Sequence, residues 1–250
     1  MVKNNRITIR GVIPNVVTIL AMIAGMTAIR FAIEGRWEHA VLAVLLAGVL
    51  DGLDGSIARL LKSTSKFGAE LDSLSDVISF GVAPAMILYT WWLDDLGGNG
   101  WVLALLFVVC QALRLARFNS HLESENEPHK VAGFLTGFPA PVAAALALLP
   151  LMIYFEWGID YRIKSTFMAV YVAFICLGMV SHIPTFSFKR LIITKEQMVP
   201  LLLAIALMVA SITEYGWVTV IFIGAVYIAL LPVTIMRYRR ITAGHVDSDK

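Results

Sequence analysis

Residues 51–76 read DGLDGSIARLLKSTSKFGAELDSLSD and place four aspartates within an otherwise apolar part of the chain. Asp51 and Asp54 are three residues apart, and Asp72 and Asp76 are four apart. If both flanking segments are helical, each pair lies on one face of its helix, one turn apart. The polar run KSTSK between the pairs predicts a turn, so the two helices would fold back as an antiparallel hairpin that brings the pairs together.

Four facing carboxylates in or near a membrane repel one another unless cations neutralise them. Ionisable residues at membrane depth are costly and are usually functional, and an all-oxygen ligand set suits hard divalent cations. The hairpin therefore predicts a site for one or two divalent metal ions that handles phosphate chemistry. Helix caps or solvated surface charges are the structural alternative, but the spacing and the apolar surroundings both oppose it.

The whole chain has the composition of a polytopic membrane protein. Its 250 residues are 58% hydrophobic and only 15% charged, whereas soluble domains average about 45–50% apolar and 25% charged residues. The net charge of +2 gives no reason to expect a nucleic-acid partner. We expect residues 13–237 to form one integral membrane domain, between a basic N-terminal segment (1–12) and a polar tail (238–250).

Apolar runs predict about eight transmembrane helices. We place them at 13–33, 37–61, 67–93, 100–118, 132–156, 165–182, 198–213 and 215–237. If the N-terminus is inside, sixteen of the twenty Lys and Arg residues lie on the inner side. The positive-inside bias then puts both termini and the aspartate hairpin in the cytoplasm. The polar connection 121–130 is either a plain linker or a lid near the site.

Small and polar residues accompany the aspartates. Four small residues reduce bulk along the faces that carry the carboxylates: Gly52, Gly55, Ala58 and Gly68. They suit either close approach of a ligand to the backbone or helix packing through small residues. Arg59 suits either a phosphate clamp or the membrane interface, and Ser65 either binds a ligand or breaks the helix.

The pattern Asp51-x2-Asp54-Gly55-x2-Ala58-Arg59-x8-Gly68-x3-Asp72-x3-Asp76 resembles the signature of the CDP-alcohol phosphotransferase family. Members of that family are integral membrane enzymes with a six-helix core. They transfer a phosphatidyl-type group from a CDP-linked lipid to an alcohol and release CMP. The resemblance implies an all-α polytopic membrane fold built on that core, two bound divalent ions (Mg2+ or Mn2+), and a homodimer within the membrane lipids.

The resemblance also implies roles for individual residues. The metal ligands would be Asp51, Asp54, Asp72 and Asp76. Asp76 would also be the base that accepts the proton of the attacking hydroxyl group. The residues implied to contact the CDP-lipid or to shape its pocket are Asn15, Thr18, Gly55, Ala58, Arg59, Ser65 and Gly68.

The second half of the chain resembles the serine-using branch of the same family. The resemblance is carried by QALRLARFNS at 111–120, GFLTGFPAPVAAA at 133–145 and MVSHIPTFSFK at 179–189. It implies CDP-diacylglycerol as donor and L-serine as acceptor, and the carboxylate of serine requires a cation. The candidates are Arg114, Arg117 and Lys189, although arginines at an inner helix end also serve as interface anchors.

Other functions remain open at this stage. Within the family, the acceptor could instead be glycerol 3-phosphate, inositol phosphate or choline. A membrane prenyltransferase also uses aspartates and Mg2+, but its two acidic motifs are widely separated, whereas here all four aspartates lie within residues 51–76. An ion transporter also carries intramembrane carboxylates, but the chain shows no inverted repeat.

Overall fold

The computed structural model of the chain describes residues 9–61, 63, 65–122, 134–159, 165–181, 184–186 and 214–230. Most of these residues are helical. The α-helices are α1 (Ile9–Ile33), α2 (Trp37–Leu60), α3 (Lys66–Asp76), α4 (Ala83–Trp91), α5 (Gly98–Leu122), α6 (Ala140–Trp157), α7 (Ser165–Val180) and α8 (Glu214–Leu230). A π-helix (Val77–Val82) joins α3 to α4, and a short 3-10 helix (Leu93–Leu96) precedes α5.

Within the described residues, five segments are long and apolar enough to cross a membrane: Val12–Ile33, Trp37–Leu60, Lys66–Trp91, Gly98–Ser120 and Ala140–Trp157. The apolar parts of α7 and α8 are shorter. Large aliphatic side chains such as Val16, Leu20 and Ile23 of α1 are exposed, as expected for a surface that faces lipid tails. The prediction of a helical polytopic membrane protein is confirmed at this level. The predicted helix at 198–213 lies outside the described residues.

One predicted helix start is wrong. The fifth helix was expected from residue 132, but residues Phe134–Thr136 form a short strand, β1, that pairs antiparallel with β2 (Pro184–Phe186). Gly137 has a φ of +77°, which a helix does not allow, and a proline disfavours helical backbone at the residue before it. The helix α6 therefore begins only at Ala140, directly after Pro139.

Alanines form the interface between α1 and α2. The buried members are Ala21, Ala24, Ala28, Ala32, Ala40, Ala43 and Ala47. On each helix they recur at intervals of three or four residues, which places them on one face. Because lipid tails are as apolar as leucine, membrane helices gain most from close backbone approach through such small residues. This packing holds the first turns of α1 beside the end of α2 that carries the aspartates.

The π-helix lies directly after Asp76. The backbone N–H of Ala83 donates to the carbonyl of Ile78, five residues back. Pro84 follows in the first turn of α4, where it has no N–H to donate and its ring would crowd the carbonyl of Phe80 in a regular α-helix. The wider π turn relieves this conflict. The helix α3, the π-helix and α4 therefore form one continuous membrane-spanning segment, Lys66–Trp91, called the rod below.

Two serines fix this rod to α1. The Ser75 hydroxyl donates to the carbonyl of Thr18 at 3.3 Å, and the Ser79 hydroxyl donates to the carbonyl of Ala21 at 3.2 Å. The helices approach closely one turn further along, where a Cβ on Gly25 would lie only 2.5 Å from Ser79 Oγ. These contacts fix how α3 is rotated about its own axis relative to α1. That rotation decides where the carboxylates of α3 point.

Candidate active site

The predicted hairpin brings carboxylates from both of its helices together. Asp51 on α2 and Asp72 and Asp76 on α3 each offer a carboxylate oxygen, and these oxygens lie within 4.8 Å of one another. All three residues are half-buried. α3 packs mainly against α1 and not along α2, so Asp72 and Asp76 approach Asp51 across an open hairpin.

Asp54 has a different environment from the other three aspartates. It lies one turn after Asp51 on α2 and is only 5% exposed. The hydroxyl of Thr18 donates to Asp54 Oδ2 at 2.6 Å, and the same hydroxyl lies 3.1 Å from the carbonyl of Pro14. A hydrogen bond to a carboxylate is stronger than one between neutral groups. Thr18 therefore orients Asp54 from the neighbouring helix α1.

The start of α3 meets the start of α1. Ser65 is the N-cap of α3, and its hydroxyl accepts a hydrogen bond from the backbone N–H of Gly68 at 3.0 Å. The absence of a side chain at Gly68 lets Asn15 approach α3 closely, because a Cβ there would lie 2.9 Å from Asn15 Oδ1 and 3.1 Å from Ser65 Oγ. The structure thus brings together three of the residues implied to bind the CDP-lipid.

Arg59 folds back along the last turn of α2. Its Nη2 donates to the hydroxyl of Ser56 at 3.2 Å, and a Cβ at Gly55 would lie 3.6 Å from its Nη1. The guanidinium of Arg59 therefore lies over Gly55, on an exposed part of the helix. Ala58, one residue before Arg59, is half-buried. The same end of the hairpin carries both this positive charge and the carboxylates, an arrangement suited to a diphosphate bound through metal ions.

Arg114 on α5 faces the carboxylates. Its positive charge interacts with Asp76 and with Asp51. The side chain is half-buried, and its Nη1 is covered and makes no hydrogen bond to the described part of the chain. Arg114 is therefore the one of the two predicted acceptor-binding arginines that lies at the candidate site, and its Nη1 can still donate a hydrogen bond to a substrate.

Arg117 has its guanidinium at the end of α7. Nη1 donates to the carbonyl of Val180 at 2.7 Å, and Nη2 lies 3.0 Å from the carbonyl of Ser181 and 3.5 Å from that of Met179. These are carbonyls that a helix C-terminus leaves without intrahelical partners. Arg117 thus connects α5 to the segment that follows α7. The third cation candidate, Lys189, lies outside the described residues.

Sequence reasoning did not single out two polar residues of α5. Asn119 donates from Nδ2 to the Ser73 hydroxyl of α3 at 2.8 Å. Gln111 is completely buried, and neither its Nε2 nor its Oε1 has a hydrogen-bond partner among the residues that the structure covers. The sequence did carry a signal for both residues, because polar side chains inside a membrane helix are costly and tend to mark sites.

The clustered residues fit a hard divalent cation. Their donors are carboxylate oxygens alone, which is the ligand type that Mg2+, Mn2+ and Ca2+ prefer. The three oxygens are close enough to reach one ion, and partial burial leaves one side open for ligands from a substrate. Asp51, Asp72 and Asp76 would hold such an ion.

Comparison with known proteins agrees with this site. Residues 11–180, more than half of the chain, match the family model for CDP-alcohol phosphatidyltransferase. The chain belongs to this family. The matched region includes all of the aspartate hairpin and continues to the end of α7, so the prenyltransferase and ion-transporter alternatives are set aside.

Relatives of known name resemble the chain over most of its length. The CDP-diacylglycerol–serine O-phosphatidyltransferase of Mycobacterium leprae is 32% identical over 232 residues, 93% of this chain and 77% of the relative. The enzyme of the same name from Mycobacterium tuberculosis is 33% identical over 236 residues, 94% of this chain and 82% of the relative. The archaetidylserine synthase of Methanothermobacter thermautotrophicus is 32% identical over 184 residues, 73% of this chain and 74% of the relative. The chain is therefore a transferase of the CDP-alcohol phosphatidyltransferase family.

Proposed function

We propose that this protein transfers the phosphatidyl group of CDP-diacylglycerol to the hydroxyl group of L-serine, giving phosphatidylserine and CMP. One observation carries the proposal: the carboxylates of Asp51, Asp72 and Asp76 lie together and face the guanidinium of Arg114. The carboxylates provide a place for metal ions and a diphosphate. The arginine provides the charge that the carboxylate of serine needs, and the names of the relatives support the same acceptor.

The reaction needs one proton acceptor beside the attacking hydroxyl. The serine oxygen forms a bond to the phosphorus that carries diacylglycerol, the bond from that phosphorus to the CMP oxygen breaks, and the hydroxyl proton moves to Asp76. Divalent ions held by the aspartates would neutralise the diphosphate and lower the proton affinity of the hydroxyl. Asp76 suits the role of base because its carboxylate lies in the cluster that would hold the metal ions beside the attacking hydroxyl.

We assign the four aspartates of the hairpin to two ions, Mg2+ or Mn2+. Asp51, Asp72 and Asp76 supply the clustered oxygens. Asp54, one turn along α2 and oriented by Thr18, extends the ligand set toward α1. Two adjacent cations stabilise the attacking and the departing oxygens of a phosphoryl-type transfer together, which is the reason to expect two.

The CDP moiety is assigned to the region where the starts of α1 and α3 meet the end of α2. The residues that contact it or shape its pocket are Asn15, Thr18, Gly55, Ala58, Arg59, Ser65 and Gly68. The close approach of Asn15 to Gly68 and the position of Arg59 over Gly55 support this assignment. The diacylglycerol tails remain in the bilayer beside the apolar surface of the helices.

Arg114 is assigned to the carboxylate of serine. Arg117 is assigned to the same subsite as a positioning residue, because it fixes the segment after α7 that contains one of the serine-branch motifs. Lys189, within that motif, is the third cation. Glycerol 3-phosphate, inositol phosphate and choline are the competing acceptors, of which choline lacks the negative charge that Arg114 would bind.

The same proposal covers the arrangement in the membrane. We place eight spans around a six-helix core within residues 13–237, in the inner or plasma membrane of the cell, with both termini (1–12 and 238–250) and the site on the cytoplasmic side. The distribution of Lys and Arg supports this orientation. We expect a homodimer, as family resemblance implies. Labelling of single cysteines introduced at each terminus and at Lys66, which is exposed at the start of α3, in intact cells tests the orientation.

The reaction is tested by measuring CMP release from the purified protein with CDP-diacylglycerol, Mg2+ or Mn2+, and L-serine. We expect serine-dependent release that disappears in Asp76→Asn and persists in Asp95→Asn, an exposed aspartate near the start of α5. Release with glycerol 3-phosphate, inositol phosphate or choline instead of serine would contradict the acceptor assignment. Undiminished activity in Asp76→Asn would contradict the role of Asp76 as base.

A further inference from the structure

The side chain of Gln111 lies in the protein interior without a stated structural role. It is 0% exposed, and both polar atoms of its amide lack hydrogen-bond partners within the described ranges. A buried amide without partners is unfavourable, and leucine or methionine would fill the same space without that cost. An amide at this position therefore points to a partner that is not part of the described chain.

Gln111 lies next to the candidate acceptor subsite. It precedes Arg114 by three residues on α5, so the two side chains share one face of the helix. Its Cγ packs over Gly81 of the π-helix, where a Cβ would approach to 3.2 Å. Gly81 in turn follows Asp76 by five residues. Along this interface, the Gln111–Gly81 contact is thus one turn deeper in the membrane than Arg114 and Asp76.

Two polar groups on this face have unused hydrogen-bonding capacity. Arg114 Nη1 is also buried without a hydrogen bond to any residue that the structure describes. A guanidinium can donate to a carboxylate, and the Oε1 of a glutamine can accept from an ammonium group. Together they complement the two charged groups on the α-carbon of a free amino acid.

We propose that Gln111 is a specificity-determining residue that accepts a hydrogen bond from the ammonium group of the acceptor serine, while Arg114 binds its carboxylate. The inference rests on the proposed function. Contact with serine requires the buried Gln111 amide to turn toward Arg114, and this motion would break no hydrogen bond to a described residue because the amide makes none. The serine hydroxyl is then held toward Asp76. The ammonium, carboxylate and hydroxyl groups of serine would thus each contact one side chain, from Gln111, Arg114 and Asp76 respectively.

A packing role for Gln111 predicts different kinetics. If the side chain only fills space, Gln111→Leu leaves the KM for serine unchanged. If the amide binds serine, the variant folds as well as the wild type but binds serine poorly. 3-Hydroxypropanoate, which keeps the hydroxyl and the carboxylate of serine but has no ammonium group, separates the contributions further, since its binding depends on Arg114 and not on Gln111.

The test compares purified wild type, Gln111→Leu and Gln111→Met by thermal unfolding and by CMP release. Tyr171→Phe is the control, because it removes another interior polar group, one that donates to the Leu146 carbonyl between α7 and α6. We expect both Gln111 variants to unfold at or above the wild-type temperature and to raise the KM for serine about tenfold, a loss of about 1.4 kcal/mol in binding. The KM for CDP-diacylglycerol and the inhibition constant of 3-hydroxypropanoate should stay within about twofold of wild type.

Each remaining outcome would overturn the proposal. An unchanged serine KM in an active Gln111→Leu enzyme would show that the amide does not bind the acceptor, while leaving the proposed reaction intact. Loss of folded protein in both variants would show that the amide has a structural partner. Absence of serine-dependent CMP release from the wild type would instead refute the proposed function, and this inference with it.

Discussion

The hydroxyl of Thr18 lies 2.6 Å from Oδ2 of Asp54, across the interface between α1 and α2. Asp54 is the most buried of the four hairpin aspartates, and its carboxylate is oriented from outside the hairpin. The first helix of the chain is therefore part of the site. A motif that appears in the sequence as one contiguous stretch depends in the fold on a residue 36 positions upstream.

Replacement of Thr18 by valine tests this dependence. The change keeps the shape of the side chain but removes the donor, and a buried acceptor that loses its partner costs about 1–3 kcal/mol. We expect Thr18→Val to unfold at a lower temperature and to release CMP about tenfold more slowly, while Thr18→Ser keeps most of the activity. Thr27→Val is the control, because that hydroxyl bonds only to the Ile23 carbonyl of its own helix in the structure. Equal activity of the two valine variants would show that the Thr18–Asp54 contact has no part in the reaction.

Replacement of Gly68 by alanine tests the contact between the starts of α1 and α3. Alanine is the better helix former by about 1 kcal/mol, so a loss in Gly68→Ala cannot come from helix propensity. The new Cβ would lie 2.9 Å from Asn15 Oδ1, so the Asn15 side chain must leave its position beside α3. We expect a KM for CDP-diacylglycerol raised about tenfold, with the KM for serine changed by less than about threefold. Gly98→Ala at the start of α5, where a Cβ meets nothing within 4 Å, should match the wild type, and a matching result for Gly68→Ala would refute the steric argument.

Replacement of Asp51 by asparagine tests its assignment as a metal ligand. Its replacement by asparagine removes one charged oxygen ligand from the cluster, so the affinity for a hard cation falls. We expect Asp51→Asn to need at least about tenfold more Mn2+ for half-maximal activity, and chelation by EDTA to abolish activity in the wild type. Binding also stabilises the folded state, by an amount that rises with the logarithm of the metal concentration once this exceeds Kd, so thermal unfolding measured against Mn2+ concentration gives a readout independent of turnover. Asp95→Asn should behave as wild type in both measurements, and an unshifted Mn2+ requirement in Asp51→Asn would remove Asp51 from the ligand set.

Replacement of Arg117 by alanine tests the connection between α5 and the end of α7. Hydrogen bonds that involve a charged group contribute about 1.5–3 kcal/mol, and Arg117→Ala loses those to Val180 and Ser181. We expect a clear fall in unfolding temperature and a smaller rise in serine KM than in Arg114→Ala. Arg30→Ala is the control, because Arg30 is 74% exposed and pairs with Glu34 on the surface, where a salt bridge contributes about 0–1 kcal/mol. A serine KM raised more by Arg117→Ala than by Arg114→Ala, with no loss of stability, would make Arg117 the direct ligand.

The sequence predicted the hairpin well because the relevant information is local. Residue spacing fixes which side chains share a helix face, and the polar run KSTSK predicts a turn, so the sequence alone indicates that Asp51 approaches Asp72 and Asp76. The direction in which α3 presents its carboxylates depends also on the hydrogen bonds of Ser75 and Ser79 to α1. The helix bounds near the site follow from the same local signals. Ser65 ends the turn and caps α3, one of the two roles that its position allowed.

Contacts between distant helices could not be predicted in this way. Whether Thr18 reaches Asp54 depends on how α1 is rotated about its own axis, which the alanine interface and the serines of the rod decide together. Arg114 and Arg117 looked equivalent in the sequence, yet one faces carboxylates and the other binds the carbonyls at the end of α7. The strand at Phe134–Thr136 was missed because its partner is Pro184–Phe186, about 50 residues away.

The π-helix at Val77–Val82 has a consequence for how this protein tolerates changes in chain length. A π turn holds one more residue than the α turn it replaces, and one residue corresponds to about 100° of rotation around a helix axis. Deleting a single residue there would place Pro84 in a regular α-helical turn, where it has no N–H to donate, and it would turn Asp72 and Asp76 away from Asp51 whenever α4 kept its packing. An insertion or deletion of one residue, harmless in most surface loops, would at this point rotate the half of the rod that carries Asp72 and Asp76 relative to the half formed by α4.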